Sequence, residues 1–315
     1  MHKSKRTRSR EISKKRKAAI KKGDLVKVTR YGKYTEVMFA KNTPPKGKVN
    51  IRRKHGSLIN SKTREIINVD HATSRSDLLT SLKRSLKTLS HLIACNFKGG
   101  KDEKFITLTY SVPYQLDPHG AKKDWQRLYQ NFRNNYPKAK YVAIFEPQGT
   151  LYPNEAQKMV PNWHIHILIK GIREDISPKL KKWWRSRGLF KVKPISEIKT
   201  NNLGIYFTSY SKNLNPAFID KVARKVIQEK DASILDDDDK DIAKGARLLF
   251  YPPHFRIYVA SQNLKQPQVS YVRFDELDTS KLGELVSEST IDIKDTQTGK
   301  IMNSYGYLKI GRAHV

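Results

Sequence analysis

Two histidines two residues apart, His164 and His166, interrupt the otherwise apolar stretch NWHIHILIK (162–170). In a β-strand residues i and i+2 share a face, about 6.6 Å apart. Both imidazoles then project together, while Ile165, Ile167 and Ile169 project the other way. Two neutral imidazoles on one strand are good ligands for a first-row divalent metal; the same pair can also simply finish a polar sheet face. Glu146 closes the preceding apolar run, KYVAIFEP (140–147). With the two segments paired antiparallel, its carboxylate reaches the histidine face; the alternative is an exposed strand end. One carboxylate and two imidazoles leave positions for water and a phosphate oxygen, which suits Mg²⁺ or Mn²⁺ acting as a Lewis acid. Downstream, GIYFTSYSKN (204–213) sets Tyr206 and Tyr210 four residues apart, with Lys212 close by. On a helix the two phenols lie one turn apart on one face. Tyrosines at that spacing commonly pack a core, but beside a metal-bound phosphate a tyrosine is a credible nucleophile. A phenol with an ordinary pKa near 10 needs a metal or a lysine to stabilise its anion.

The elements that must position these groups follow from periodicity. Leu78, Leu79, Leu82, Leu86, Leu89 and Ile93 make an amphipathic helix over 75–97. After the turn KGGKDEK, the segment 104–112 alternates Thr107 and Thr109 against Ile106 and Leu108, as a strand does. Trp125, Leu128, Tyr129 and Phe132 share a helical face over 121–137, which Pro137 ends. The strands 140–147 and 161–170 are joined by a loop, 148–161. A short helix is expected over 177–188, with Ser177 as N-cap and Gly188 as stop, then a strand over 189–195. Helices are expected over 204–214 and 217–245, the latter carrying the solvated acidic run DDDDK (236–240). Two short strands are expected within 247–261, around Pro252-Pro253. The order β-α-β-β-α-β-α predicts an α+β fold: a central antiparallel sheet with helices packed on one face. Before it, DLVKVTRYGKYTEVMFA alternates around Tyr31-Gly32, so residues 23–70 are expected to be a small β element opened by a hairpin. The division expected is a disordered basic arm (1–22), the β element (23–70), a main domain (71–275) and a polar, ill-defined C-terminal segment (276–315).

Composition bounds the partners. The 315 residues include 62 basic against 30 acidic side chains, a net charge of +32. Such an excess favours nucleic acid, because phosphates reward dispersed Lys and Arg through counterion release. Residues 1–22 hold eleven Lys or Arg and one acid, including Lys3, Arg6, Arg8, Lys14, Lys15, Arg16 and Lys17; this arm is read as a non-specific DNA contact. The single cysteine, Cys95, excludes an intrachain disulfide and a multi-cysteine zinc site, and fits a reducing cytoplasm. No apolar run reaches membrane-spanning length, and no apolar core of a secretory signal follows the basic N-terminus. The last six residues, IGRAHV, can be back-translated into the start of a common sequencing adapter; they are read as an assembly artefact, with the true C-terminus missing.

In order along the chain, FITLTY (105–110), WHIHILI (163–169) and YFTSYSK (206–212) resemble the motifs of rolling-circle replication initiators of the HUH endonuclease superfamily. The resemblance runs from about residue 75 to 267 and includes Glu146, where the family often has a third metal ligand. It implies an RRM-like sheet with Thr107 and Thr109 at the DNA, Mg²⁺ or Mn²⁺ held by His164, His166 and Glu146, and attack by Tyr210 or Tyr206. It implies nicking and joining of a single-stranded origin through a 5′-phosphotyrosine, in a bacterial cytoplasm. No G-x-x-x-x-G-K-[ST] motif is present, so a host helicase and a DNA polymerase are the partners implied; no membrane is involved. The family usually has lysine three residues after the nucleophile; here Lys212 comes one residue early after Tyr210. The tyrosines follow the histidines, as in replication initiators and small single-strand transposases, so a transposase is one alternative. A non-catalytic basic DNA-binding protein is another. A cupin-type oxygenase would want its carboxylate downstream and would not account for the charge.

Overall fold

The computed structural model describes residues 10–15, 17–40, 51–54, 57–60, 66–67, 79–111, 115–157, 159–197, 250–278, 282–295 and 301–311. Its elements in chain order are β1 (Arg10–Lys15), β2 (Leu25–Tyr31), β3 (Tyr34–Ala40), β4 (Ile51–Lys54), β5 (Ser57–Asn60), β6 (Ile66–Ile67), α1 (Leu79–Asn96) and β7 (Glu103–Tyr110). There follow α2 (Pro118–Asn135), β8 (Lys140–Pro153), β9 (Met159–Lys170), α3 (Ser177–Trp184), β10 (Gly188–Pro194), β11 (Tyr258–Ala260), β12 (Gln268–Arg273), β13 (Glu284–Asp295) and β14 (Ile301–Gly311). They form two compact units, His71–Gln266 and the combination of Met1–Asp70 with Pro267–Val315. The fold is α+β, with all described strand pairs antiparallel.

Unit 71–266 is built on a five-stranded sheet in the order β10-β7-β9-β8-β11. The alternation of β9 sorts its two faces. Ile165, Ile167 and Ile169 are fully buried, beside Ile106 and Leu108 of β7 and Ala143 and Phe145 of β8. Trp125, Leu128 and Phe132 of α2 and Leu180 and Trp184 of α3 join the same cluster. Each buried isoleucine contributes about 1.5–3 kcal/mol, enough to fix the register that turns the histidines to the other face. On that face Leu168, Val142 and Ile144 meet Leu89, Leu92 and Ile93 of α1. Helices α2 and α3 thus share one face as expected, while α1 joins the cluster of opposite parity.

Local chemistry fixes the ends of these elements. Asp117 caps α2, accepting the His119 and Gly120 N–H groups at 2.9 Å each, with Pro118 in the first turn. Buried Glu103 accepts the Lys98 and Gly99 N–H groups at 2.8 Å each and pairs with Lys170 Nζ at 2.8 Å. That carboxylate closes the KGGKDEK turn and ties the start of β7 to the end of β9, where Glu103 and Lys170 are register partners.

Several boundaries differ from expectation. The loop 148–161 is largely paired: Leu151, Tyr152 and Pro153 face Pro161, Val160 and Met159, past a bulge between Pro147 and Leu151. Ser177 does not cap α3; it is the first helical residue, and Asp175 accepts its N–H. Gly188 does not stop the helix but opens β10. Within 250–261 only the second expected strand, β11, forms. The expected helices over 204–214 and 217–245 lie outside the described residues.

The other unit carries a six-stranded sheet, β1-β13-β14-β3-β2-β12, and a small one, β4-β5-β6. The β2–β3 hairpin turns at Gly32, whose φ of 53 suits the glycine that begins a tight two-residue turn. Residues 10–15, within the stretch expected as a disordered arm, form β1 along β13. The C-terminal segment expected to be ill-defined supplies β13 and β14, and β14 pairs with β3. Val26, Val28 and Val37 form the core of this sheet.

Candidate metal centre and nucleic-acid interface

Register brings the expected residues to one place. Thr109, His164 and Glu146 stand side by side across β7, β9 and β8, and Thr107 and His166 are partners one step along. The Glu146 carboxylate reaches diagonally: its Oε2 lies 2.8 Å from His166 Nε2. Diagonal neighbours in an antiparallel pair are within reach of such side chains. On the other side of the ring, Thr107 Oγ1 lies 3.2 Å from His166 Nδ1. Phe105 stacks on the same imidazole, with centroids 5.7 Å apart and planes 9° from parallel. The His164 ring stands edge-on to His166, its centroid 5.9 Å away. Glu146 and His166 are buried, while His164, Thr107 and Thr109 are half-buried.

The donor types fit a divalent cation: a carboxylate oxygen and imidazole nitrogens, with a hydroxyl on the far nitrogen of one ring. As they stand, Glu146 and His166 are hydrogen-bonded to each other. Among the described residues no three His, Cys, Asp or Glu side chains converge as a ready metal-binding group. Ligation by His166 Nε2 therefore requires its proton to go to Nδ1, where Thr107 can accept it as a hydrogen bond.

The sequence reading missed two neighbours. Lys191 is the register partner of Thr107, and Lys193 of Phe105. Both are exposed, and their parity on β10 is that of the histidine face. The alternation in LFKVKPI was the available signal; what it lacked was the knowledge that β10 pairs with β7. Tyr206, Tyr210 and Lys212 lie outside the described residues, as do Lys3, Arg6, Arg8 and Arg16. Lys14 and Lys15 are positions of β1, and Lys17, just after it, is exposed.

Residues 103–215 match the family model of the replication-associated proteins of the ORF2 and gene-II-protein type. The matched segment begins with β7 and contains Glu146, both histidines and both tyrosines. It covers less than half of the chain. The match supports a replication-initiator family, and with it a role in DNA replication and DNA binding. No curated protein and no solved structure matches the chain. Among the described residues no helix is long and apolar enough to cross a membrane.

A second cluster braces the end of β7. Buried Asp124 of α2 accepts the Tyr110 hydroxyl at 3.0 Å and Arg187 Nε at 3.0 Å. Burial, then the Asp124 charge and hydrogen bond, push the Tyr110 phenol well above its ordinary pKa. Gly188 follows Arg187 with φ 152, and a Cβ there would meet Thr109 O at 2.1 Å. The close approach of β10 to β7 beside the site therefore requires glycine.

Proposed function

We propose that this chain is a rolling-circle replication initiator of the HUH type, nicking and joining one strand of single-stranded origin DNA. The observation that carries the reading is the Glu146–His166 contact at 2.8 Å with His164 beside it, on a strand face flanked by Thr107 and Thr109. The family match over 103–215 supports it, because the matched segment holds both this constellation and the tyrosines.

In this account Glu146, His164 and His166 hold Mg²⁺ or Mn²⁺. The bound ion supplies Lewis-acid polarisation of a scissile phosphate oxygen. Thr107 holds the His166 ring through Nδ1. Lys191 and Lys193, with Thr109, meet backbone phosphates of the unpaired strand. Tyr210, nearer in sequence to Lys212, is the first nucleophile, with Tyr206 as the second candidate. The phenolate oxygen bonds to phosphorus and the bond to the 3′-oxygen breaks. That oxygen takes up a proton, leaving a 5′-phosphotyrosine and a free 3′-OH for a polymerase. The reverse attack rejoins the strand. Because in-line attack needs an unpaired scissile strand, a host helicase or supercoiling opens the origin.

The test uses single-stranded fragments tiled across the DNA flanking the gene, incubated with the protein and Mn²⁺ with and without EDTA. A covalent protein–DNA adduct that needs the metal supports the proposal. Tight binding with no adduct on any fragment favours a non-catalytic DNA-binding protein.

A further inference from the structure

The six-stranded sheet has a face that the nicking account does not use. Tyr271, Lys27, Met38, Tyr307 and Ser289 stand in register across β12, β2, β3, β14 and β13. Adjacent strands are about 4.8 Å apart, so the row places the two tyrosines roughly 14 Å from each other. Tyr305 lies on the same face, one pleat from Tyr307 on β14. The core of this sheet uses the opposite parity, that of Val26, Val28 and Val37. On the row's own face Tyr271 is 54% exposed and Met38 38%, and Lys27, Tyr305 and Tyr307 are half-buried.

Charge is sorted between the two faces. Lys27, Arg273 and Lys309 have the parity of the tyrosines, and Lys309 Nζ lies 4.4 Å from the centre of the Tyr34 ring. Glu288 and Asp292 of β13 have the core parity. There Glu288 accepts the Ala18 N–H at 3.2 Å and Asp292 the Ser304 hydroxyl at 2.6 Å. The acids left on the tyrosine face are Glu36 and Glu284. Glu36 is buried and accepts the Tyr31 hydroxyl at 2.6 Å, and Glu284 sits at the corner opposite Gly311. Aromatic rings interleaved with cations on an open sheet are what an unpaired nucleic-acid strand requires: a π-face for each base and a positive charge for the phosphates between.

We propose that this sheet face binds single-stranded DNA without sequence preference, Tyr271, Tyr305 and Tyr307 stacking on bases and Lys27, Arg273 and Lys309 meeting phosphates. It goes beyond the nicking chemistry and does not depend on it, because no metal ligand or nucleophile takes part. The duplex is excluded as the main partner because its bases are already stacked and paired, leaving only phosphates to contact.

Fluorescence anisotropy of the full chain with a labelled oligo(dT) of about 20 nucleotides, in EDTA to silence cleavage, tests it. Tyr271→Ala should weaken binding about fivefold or more, while Tyr271→Phe, which keeps the ring, should bind like the native chain. Lys27→Ala should lower the slope of log affinity against log salt by about 0.7. Tyr271 is exposed, so its variants should keep the native thermal melt. Unchanged affinity in the Tyr271→Ala/Lys27→Ala double variant overturns the proposal. So does equal competition by a duplex or by anionic vesicles, which would mark a general polyanion surface or a lipid partner.

Discussion

Glu146 Oε2 and His166 Nε2 lie 2.8 Å apart, although the register partner of Glu146 is His164. The carboxylate thus spans the two histidines diagonally and meets the ring whose other nitrogen faces Thr107. Carboxylate, imidazole and hydroxyl form one hydrogen-bonded chain across three strands.

That chain makes Thr107 a positioning residue. Thr107→Val keeps the strand shape and removes the oxygen 3.2 Å from His166 Nδ1. Loss of such an outer partner costs about 10–100-fold in metal affinity or activity. The expected outcome is a Mn²⁺ titration of nicking shifted upward by that factor, with oligo(dT) binding in EDTA unchanged.

Asp124 predicts stability rather than chemistry. Asp124→Ala leaves the Tyr110 hydroxyl and Arg187 Nε without their acceptor, at a cost of about 2–3 kcal/mol. The Arg127 contact at 3.5 Å adds little, since that side chain is 71% exposed. Urea unfolding of the native and variant chains measures the difference.

Tyr110 adds a pH dependence. Its phenol is held protonated in the fold, while in the unfolded chain it ionises near pH 10. The stabilisation is complete below about pH 10 and falls as pH rises beyond it. Tyr110→Phe should lose about 1 kcal/mol near neutral pH. It should also show a shallower decline in urea midpoint between about pH 9 and 11 than the native chain.

Gly188→Ala should disturb the β7–β10 pairing next to the site. The added Cβ would meet backbone atoms at 2.1 and 2.6 Å, and φ of 152 is strained for alanine. A loss of about 2 kcal/mol or more is expected in the same unfolding experiment, together with weaker nicking.

The two-residue alternation of HIHILIK made the division of β9 legible: isoleucines to the core, histidines to the other face. TLT carries the same parity, so the Thr107–His166 and Thr109–His164 pairings follow once β7 and β9 are neighbours. The Asp124–Arg187 contact could not be read, because it joins positions 63 residues apart with no periodic signal linking them. The strands β13 and β14 looked polar because their row of Ser, Thr and Tyr is half-exposed. Their partner β3 lies near the other end of the chain. Past Pro147, strand pairing resumes after a bulge, where a proline reads locally as an end.

The central claim is tested most directly by the covalent adduct between the chain and its single-stranded origin DNA. The account predicts an adduct in Mn²⁺ that disappears with EDTA, with Glu146→Gln/His166→Ala, and with Tyr206→Phe/Tyr210→Phe. An adduct that persists in the double-tyrosine variant would contradict it.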